Sequence, residues 1–415
     1  MSIQINCQDS TKVLNDLYNS SLALPHTAPR STPIDSIAEA EKREELPPSS
    51  RAVNLPTLII DNAPVPLFDL TELERAQGEQ RKIIIKQFGD GLKDVGFVAV
   101  KAESLISLIE AANVEMEKYF SQPLEEKMKD RRSSHVTGFS ERGRETAAGA
   151  KVADIKETYF IPPNYSGWPE NWPQNRPKFR EVMDCYHKEL TKLAALFMGY
   201  IAEYLEEPTE DISKSMNDAF NLLRLAHYPA ARPEDEPQAV WASAHEDLNA
   251  LTLLPPSTVP GLQLMTKEGE WKAVNIPQGY LIVNTGEQLQ LKTAGLIRAT
   301  RHQVVNPGGK YAWQRRFASI FFASWSAEFS LQPFASCAEK VTSGMSEEEK
   351  KEYMKDYPNI TVQENLDSRL IEMGTTTNPS EECVKELRQK GLLRKPPKEL
   401  VARYPSIFSD EQKGA

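Results

Sequence analysis

Six short apolar runs follow one another between Asn221 and Phe322: Leu222-Leu-Arg-Leu225, Leu251-Thr-Leu-Leu254, Leu262-Gln-Leu264, Tyr280-Leu-Ile-Val283, Gln303-Val-Val305 and Ser319-Ile-Phe-Phe322. They are too short for helices, and turn residues such as Pro255-Pro-Ser, Glu268-Gly and Pro307-Gly-Gly309 interrupt the chain between them. Short strands joined by polar turns bury their apolar sides by stacking two sheets or closing one. The pattern predicts a mainly β fold with flanking helices, its core a double-stranded β-helix, or jelly roll.

The same stretch carries His245 and Asp247 in Ser243-Ala-His-Glu-Asp-Leu-Asn, and His302 in Ala299-Thr-Arg-His-Gln. On extended backbone, residues two apart point the same way, so His245 and Asp247 can reach one ion while Glu246 turns elsewhere. A third ligand must come from another strand, and His302 is the candidate. Two imidazoles and one carboxylate on one face of a transition metal, with positions left open, are diagnostic of non-haem Fe(II) oxygen chemistry. A His-x-Asp alone is common as a surface or core pair; the apolar runs around both halves favour the metal. A hydrolytic zinc site is disfavoured because no Glu base motif accompanies the ligands. His26, His135 and His187 receive no metal role, and His227 alternates to the strand face opposite its neighbour Tyr228.

The 415 residues exceed one average domain and divide into four parts. Residues 1–60 are a polar N-terminal extension rich in Ser, Thr and Pro. Residues 61–215 form an N-terminal α/β region with bracing helices. Val65–Leu70 is its opening strand, a helix through Phe88 stops near Gly89 or Gly91, and Val95–Val100 is a buried strand. Amphipathic helices span Leu105–Phe120 and Phe179–Ile201. Residues 216–327 hold the catalytic jelly-roll core, and 328–415 a C-terminal helical region in which Ser346 caps a charged helix. Leu366, Leu370 and Ile371 are expected to lay an apolar edge over the active-site mouth.

A net charge of -10 argues against nucleic acid as a partner, since neutralising phosphates takes clustered Lys and Arg. Cys7, Cys185, Cys337 and Cys383 show no paired spacing, so neither disulfides nor a zinc knuckle is expected. No apolar run reaches bilayer-spanning length and the start lacks a secretory pattern, which predicts a cytoplasmic protein without membrane contact, monomer or homodimer.

In these residues the chain resembles the isopenicillin N synthase-like branch of the Fe(II)/2-oxoglutarate-dependent oxygenases. The likeness runs from Val65 to Trp325 through Val65-Pro-Leu-Phe-Asp-Leu70, Asp94-Val-Gly-Phe97, Pro123-Leu-Glu-Glu-Lys-Met128, Leu223-Arg-Leu-Ala-His-Tyr-Pro229, the His245 segment and Gly279-Tyr-Leu-Ile-Val-Asn-Thr-Gly286. It implies Fe(II) on His245, Asp247 and His302, with 2-oxoglutarate as co-substrate alongside O2. It also implies that Arg316 binds the distal carboxylate of that co-substrate and that Tyr228 adds a hydroxyl.

The family's Arg-x-Ser reads here Arg316-Phe-Ala318, with Ser319 displaced to the other face, and Ala226 replaces the Asn of its Asn-x-Tyr. The implied reaction removes hydrogen from an unactivated C–H bond of a small molecule, giving hydroxylation, desaturation or ring closure with succinate and CO2. Wall candidates are Arg142, Arg144, Glu157, Tyr159, Asn249 and Trp325. Inward-facing Arg142 and Arg144 would favour a carboxylate-bearing substrate. Two other readings stay open: an Fe(II) oxidase of the same fold that uses no 2-oxo acid, and a non-catalytic jelly-roll sensor or scaffold.

Overall fold

The computed structural model describes residues 60–131, 137–143, 154–163, 172–217, 219–230, 240–312, 314–374, 376 and 378–408. The N-terminal extension up to residue 59, His135 and Arg144 lie outside the described residues. The chain opens with β1 (Leu67–Asp69), then α1 (Leu70–Arg75), whose first turn is capped by Asp69 accepting the Thr71 N–H at 2.8 Å.

Helix α2 (Gly78–Asp94) does not stop at Gly89 or Gly91 as expected; it runs past both. These glycines serve close packing instead: a Cβ on Gly89 would sit 2.1 Å from the Tyr204 ring, and one on Gly91 2.8 Å from Val98 Cγ1. β2 (Phe97–Lys101) follows, then α3 (Ile106–Phe120), α4 (Leu124–Met128), β3 (Gly138–Ser140) and β4 (Glu157–Ile161). Next come the long α5 (Pro177–Leu205) and α6 (Thr209–Lys214).

Strands β5 (Leu222–Tyr228), β6 (Ala242–His245), β7 (Leu251–Leu254), β8 (Leu262–Met265), β9 (Trp271–Ala273), β10 (Tyr280–Thr285), β11 (His302–Val304) and β12 (Arg316–Ala323) complete two sheets. The larger has eight strands in the order β1-β2-β10-β7-β12-β5-β4-β3, and the smaller four in the order β6-β11-β8-β9. The six expected runs are all strands, and the extended segment expected to carry His245 ends as β6; β3 and β9 were not foreseen. A short helix, α7 (Glu287–Lys292), interrupts the path from β10 to β11.

The central strands of the larger sheet are apolar on both faces because both are covered. Leu223, Leu225, Phe317 and Phe321 face outward into one core with Phe179, Val182 and Leu190 of α5. Ala226, Tyr228, Ala318 and Ile320 face inward and share a second core with Leu262, Leu264 and Val304 of the smaller sheet. Each fully buried Leu or Phe on the α5 stripe contributes roughly 2 kcal/mol of apolar transfer. The space between the sheets is the jelly-roll interior, where the ligand candidates lie.

The C-terminal helices are α8 (Ala335–Thr342), α9 (Glu347–Met354), α10 (Val362–Glu372), α11 (Glu381–Gln389) and α12 (Lys398–Arg403). Ser346 caps α9 as expected, in a capping box with Glu349, and Thr361 with Glu364 repeats the device on α10. Ile371 lays no edge over the mouth: it is 2% exposed in a separate small core with Val384, Leu387, Leu393, Leu400 and Phe408. Burial among partners from its own region satisfies it better than a wet rim.

Candidate active site

His245 ends β6 and His302 begins β11, and the two are directly opposed in the antiparallel register, with ring centroids 4.5 Å apart. Asp247 follows in the loop, so pairing two strands brings all three side chains to one point. Oδ1 of Asp247 lies 3.6 Å from Nε2 of His245 and 3.8 Å from Nε2 of His302, and one ligand atom from each residue lies within 4.8 Å of the others.

Backbone carbonyls orient the rings. His245 Nδ1–H donates to Ser243 O at 2.7 Å and His302 Nδ1–H to Thr300 O at 3.0 Å, which leaves both Nε2 lone pairs aimed at the common point. Asp247 is held similarly, its Oδ2 accepting from the Thr252 hydroxyl at 2.6 Å and Asn284 Nδ2 at 2.8 Å.

Burial would raise the Asp247 carboxyl, but the His302 and His245 imidazoles and the Thr252 hydroxyl outweigh it and hold the group well below the usual carboxylate range. Burial lowers His302, which keeps it neutral as a ligand must be. Two further contacts fix the loop. Glu287 N–H donates to Asp247 O at 2.8 Å, a closeness possible because Gly286 has no Cβ, which would stand 2.1 Å from Asn249 O. Behind His245, Asp154 Oδ1 accepts from Ser243 N at 3.1 Å and Ser243 Oγ at 2.9 Å, while Lys156 Nζ donates to its Oδ2 at 2.6 Å.

Arg316 opens β12 opposite Tyr228, and each is 1% exposed. Its Nε donates to Val259 O at 3.0 Å, its guanidinium carbon lies 4.9 Å from the Tyr228 ring centroid, and its Nη1 is buried with no partner. Leaving a charged donor sealed and unpaired is costly, so the site is built for an anion. Ala318 and Ala226 are register partners on the same inner face, so two methyl groups stand where the family pattern has polar side chains. Ser319 points the other way, to the Tyr186 hydroxyl at 2.8 Å.

Residues 65–178 match the family model described as non-haem dioxygenase in morphine synthesis N-terminal, and residues 219–324 match that of the 2OG-Fe(II) oxygenase superfamily. The second match contains His245, Asp247, His302, Arg316 and Tyr228. The chain belongs to the 2OG-Fe(II) oxygenase superfamily. This oxygenase is similar to flavanone 3-dioxygenase 2 of Oryza sativa subsp. japonica, 28% identical over 261 residues that cover 60% of this chain and 71% of the relative. Clavatol oxidase claD of Penicillium crustosum is 26% identical over 349 residues, 76% of this chain and 98% of that one.

The structure of a full-length Neurospora crassa protein in complex with alpha-KG superposes with a TM-score of 0.64 over 77% of this chain and 98% of that one, at 24% identity, which shows a shared fold. The oxygenase is accordingly a 2-oxoglutarate-dependent dioxygenase using Fe(II), 2-oxoglutarate and O2. The readings as an oxidase without a 2-oxo acid and as a non-catalytic scaffold give way to it. The donor set fits these groups: two imidazoles and a carboxylate for Fe(II), and an unsatisfied guanidinium for a dicarboxylate.

Other expected wall residues of the oxygenase stand elsewhere. Glu157 and Tyr159 face the helices, because alternation along β4 turns Thr158 and Phe160 inward instead. Glu157 accepts from Lys127 Nζ at 2.7 Å and from His227 Nδ1 at 2.7 Å, and the Tyr159 ring lies 4.9 Å from that of Tyr119. Trp325 is 1% exposed, with its indole N–H on Ile212 O at 3.0 Å, in the outer core. Asn249 is spent on the loop, donating to Leu251 O and, at 3.0 Å, to Thr252 Oγ1. Arg142 is half-buried and already engaged. Asp154, Thr252 and Asn284 were missed. Asn284 was readable as a polar residue on the inward alternation of an apolar strand.

Proposed function

We propose that His245, Asp247 and His302 hold the Fe(II), that Arg316 and Tyr228 receive the distal carboxylate of 2-oxoglutarate, and that the substrate is a small carboxylate-bearing molecule oxidised at an unactivated C–H bond. The observations that carry this reading are the convergence of two Nε2 atoms and Oδ1, and an inward-facing arginine between the sheets with a buried, unpartnered Nη1. When bound, the iron and 2-oxoglutarate supply the oxidising power, 2-oxoglutarate and O2 going to succinate and CO2 as the substrate is hydroxylated, desaturated or closed into a ring.

The chain's part is placement. Arg316 would hold the far carboxylate of the co-substrate, and the three ligands would hold the metal at which its other end reacts. Thr252 and Asn284 occupy Oδ2 of Asp247 and so reserve Oδ1 for the metal. Phe97 sets its ring edge-on against His302 with centroids 5.8 Å apart, keeping that side apolar and dry. The relatives named for a flavanone and for clavatol support a small-molecule substrate.

The test is succinate release by purified protein with Fe(II) and 2-oxoglutarate across a library of small amino and carboxylic acids. Substrate-stimulated release that disappears in His302→Ala supports the reading; equal release by the variant contradicts it.

A further inference from the structure

Arg224 is an inner-face cation that neither iron nor co-substrate uses, and unlike Lys156, which is paired with Asp154, it has no carboxylate partner among the described residues. Alternation along β5 places Leu223 and Leu225 in the outer core and Ala226 and Tyr228 in the inner one, so Arg224 points inward with the latter. It lies four residues from Tyr228, about 13 Å at the usual strand rise, so it cannot serve the carboxylate that Arg316 serves. Its guanidinium carbon sits 4.8 Å from the ring centroid of Phe322. Phe322 is register partner to Thr252, whose hydroxyl holds Asp247, so Arg224 leans toward the ligand cluster.

Among the described residues no carboxylate pairs with Arg224, and its Nε is buried without a hydrogen-bond partner. The cation–π contact steadies the guanidinium over the ring but satisfies none of its N–H groups. Charge accounting points the same way. The charges of Fe(II) and Arg316 are met by Asp247 and by 2-oxoglutarate as a dianion, and the charge of Arg224 is left over. One carboxylate on the substrate matches it.

We propose that Arg224, set over the Phe322 ring, is the substrate-binding residue that receives the carboxylate of a small monoanionic substrate and so presents a neighbouring C–H bond to the metal. This rests on the proposed function and moves recognition of the carboxylate from Arg142 and Arg144 to β5. A bidentate pair would occupy the open N–H groups and hold the substrate at a set distance from the ligands.

The test is anaerobic calorimetric titration of the full-length protein loaded with Fe(II) and 2-oxoglutarate, whose metal-to-ligand charge-transfer band reports the loaded state. The probes are matched acids and primary amides: phenylacetate with phenylacetamide, hexanoate with hexanamide, cinnamate with cinnamamide. Wild type is expected to bind at least one acid tenfold or more tighter than its amide. Arg224→Gln should erase that preference while the charge-transfer band persists, and Arg224→Lys should restore part of it. The proposal is overturned if acids and amides bind alike or not at all to the loaded wild type, or if Arg224→Gln keeps the preference. Loss of the band in Arg224→Gln also overturns it, since Arg224 would then serve the co-substrate. Absence of the band in wild type defeats the parent reading instead, and this one with it.

Discussion

At the scale of single residues, the site is a set of partly satisfied groups whose remaining valences converge. Asp154 acts on His245 only through the Ser243 peptide, so its removal should loosen the ring without removing a ligand. Replacing Asp154→Ala together with Lys156→Met, which avoids an orphaned lysine, is expected to weaken Fe(II) binding about tenfold by calorimetry. Unchanged affinity would show that the strand alone orients the imidazole. Arg316→Met exchanges a buried, unpaired guanidinium for an apolar chain of similar length. The ligand-free protein should gain roughly 1–3 kcal/mol of stability while the melting shift produced by 2-oxoglutarate disappears. Scanning calorimetry with and without the co-substrate checks both halves.

At the scale of elements, the alternation of each strand decides what a residue can do. His227 shows this on the outer face. Stacked on Phe317, it donates through Nδ1 to Glu157 and accepts from Arg315 Nε at 2.9 Å, and burial pushes it down to about 4 against Glu157's pull. An unfolded histidine titrates near 6.5, so between these values the unfolded chain binds more protons. The stability this group contributes is whole above pH 6.5 and is lost as pH falls toward 4. Between pH 7.5 and pH 5 denaturant titrations should show wild type losing about 2 kcal/mol more than His227→Gln. Equal losses would place the sensitivity elsewhere.

The same alternation explains what was legible. The apolar runs pointed to the strands, and His245, Asp247, His302 and Arg316 could be singled out as candidates because residue type and spacing carry their chemistry locally; the fold then brings the first three together. Glu157 and Tyr159 were misassigned because no strand shows from its own sequence which face its neighbours will cover. Strand β6 does not show as an apolar run, since Ala242-Ser-Ala-His has little apolar signal; the His-x-Asp spacing alone pointed to extended backbone there, and the pairing of His245 with His302 depends on it. Gly89 and Gly91 read as helix stops because close approach to Tyr204 and Val98 is invisible before the helices pack.

At the scale of the whole molecule, the C-terminal region divides energetically. Leu331, Cys337, Ile360 and Val362 belong to the main core, and Lys292 of α7 lies against the Phe329 and Phe334 rings at 5.1 and 4.4 Å. Arg369 Nε also reaches Glu287 at 3.1 Å, just beside the peptide that holds Asp247. The helices beyond Gly374 instead close the small core around Ile371. A chain ending at Gly374 should therefore retain Fe(II) and 2-oxoglutarate binding, whereas one ending at Glu328 should fail to fold to soluble protein; expression and calorimetry separate the two. No helix among the described residues is long and apolar enough to cross a membrane.

The central claim, one Fe(II) held by side chains from two strands and their loop, is tested most directly by anomalous diffraction from anaerobic crystals grown with Fe(II) and 2-oxoglutarate. The account predicts a single iron peak bonded to Nε2 of His245, Oδ1 of Asp247 and Nε2 of His302, with the far carboxylate of 2-oxoglutarate on Nη1 of Arg316. An iron peak remote from these atoms, or 2-oxoglutarate bound away from Arg316, would contradict it.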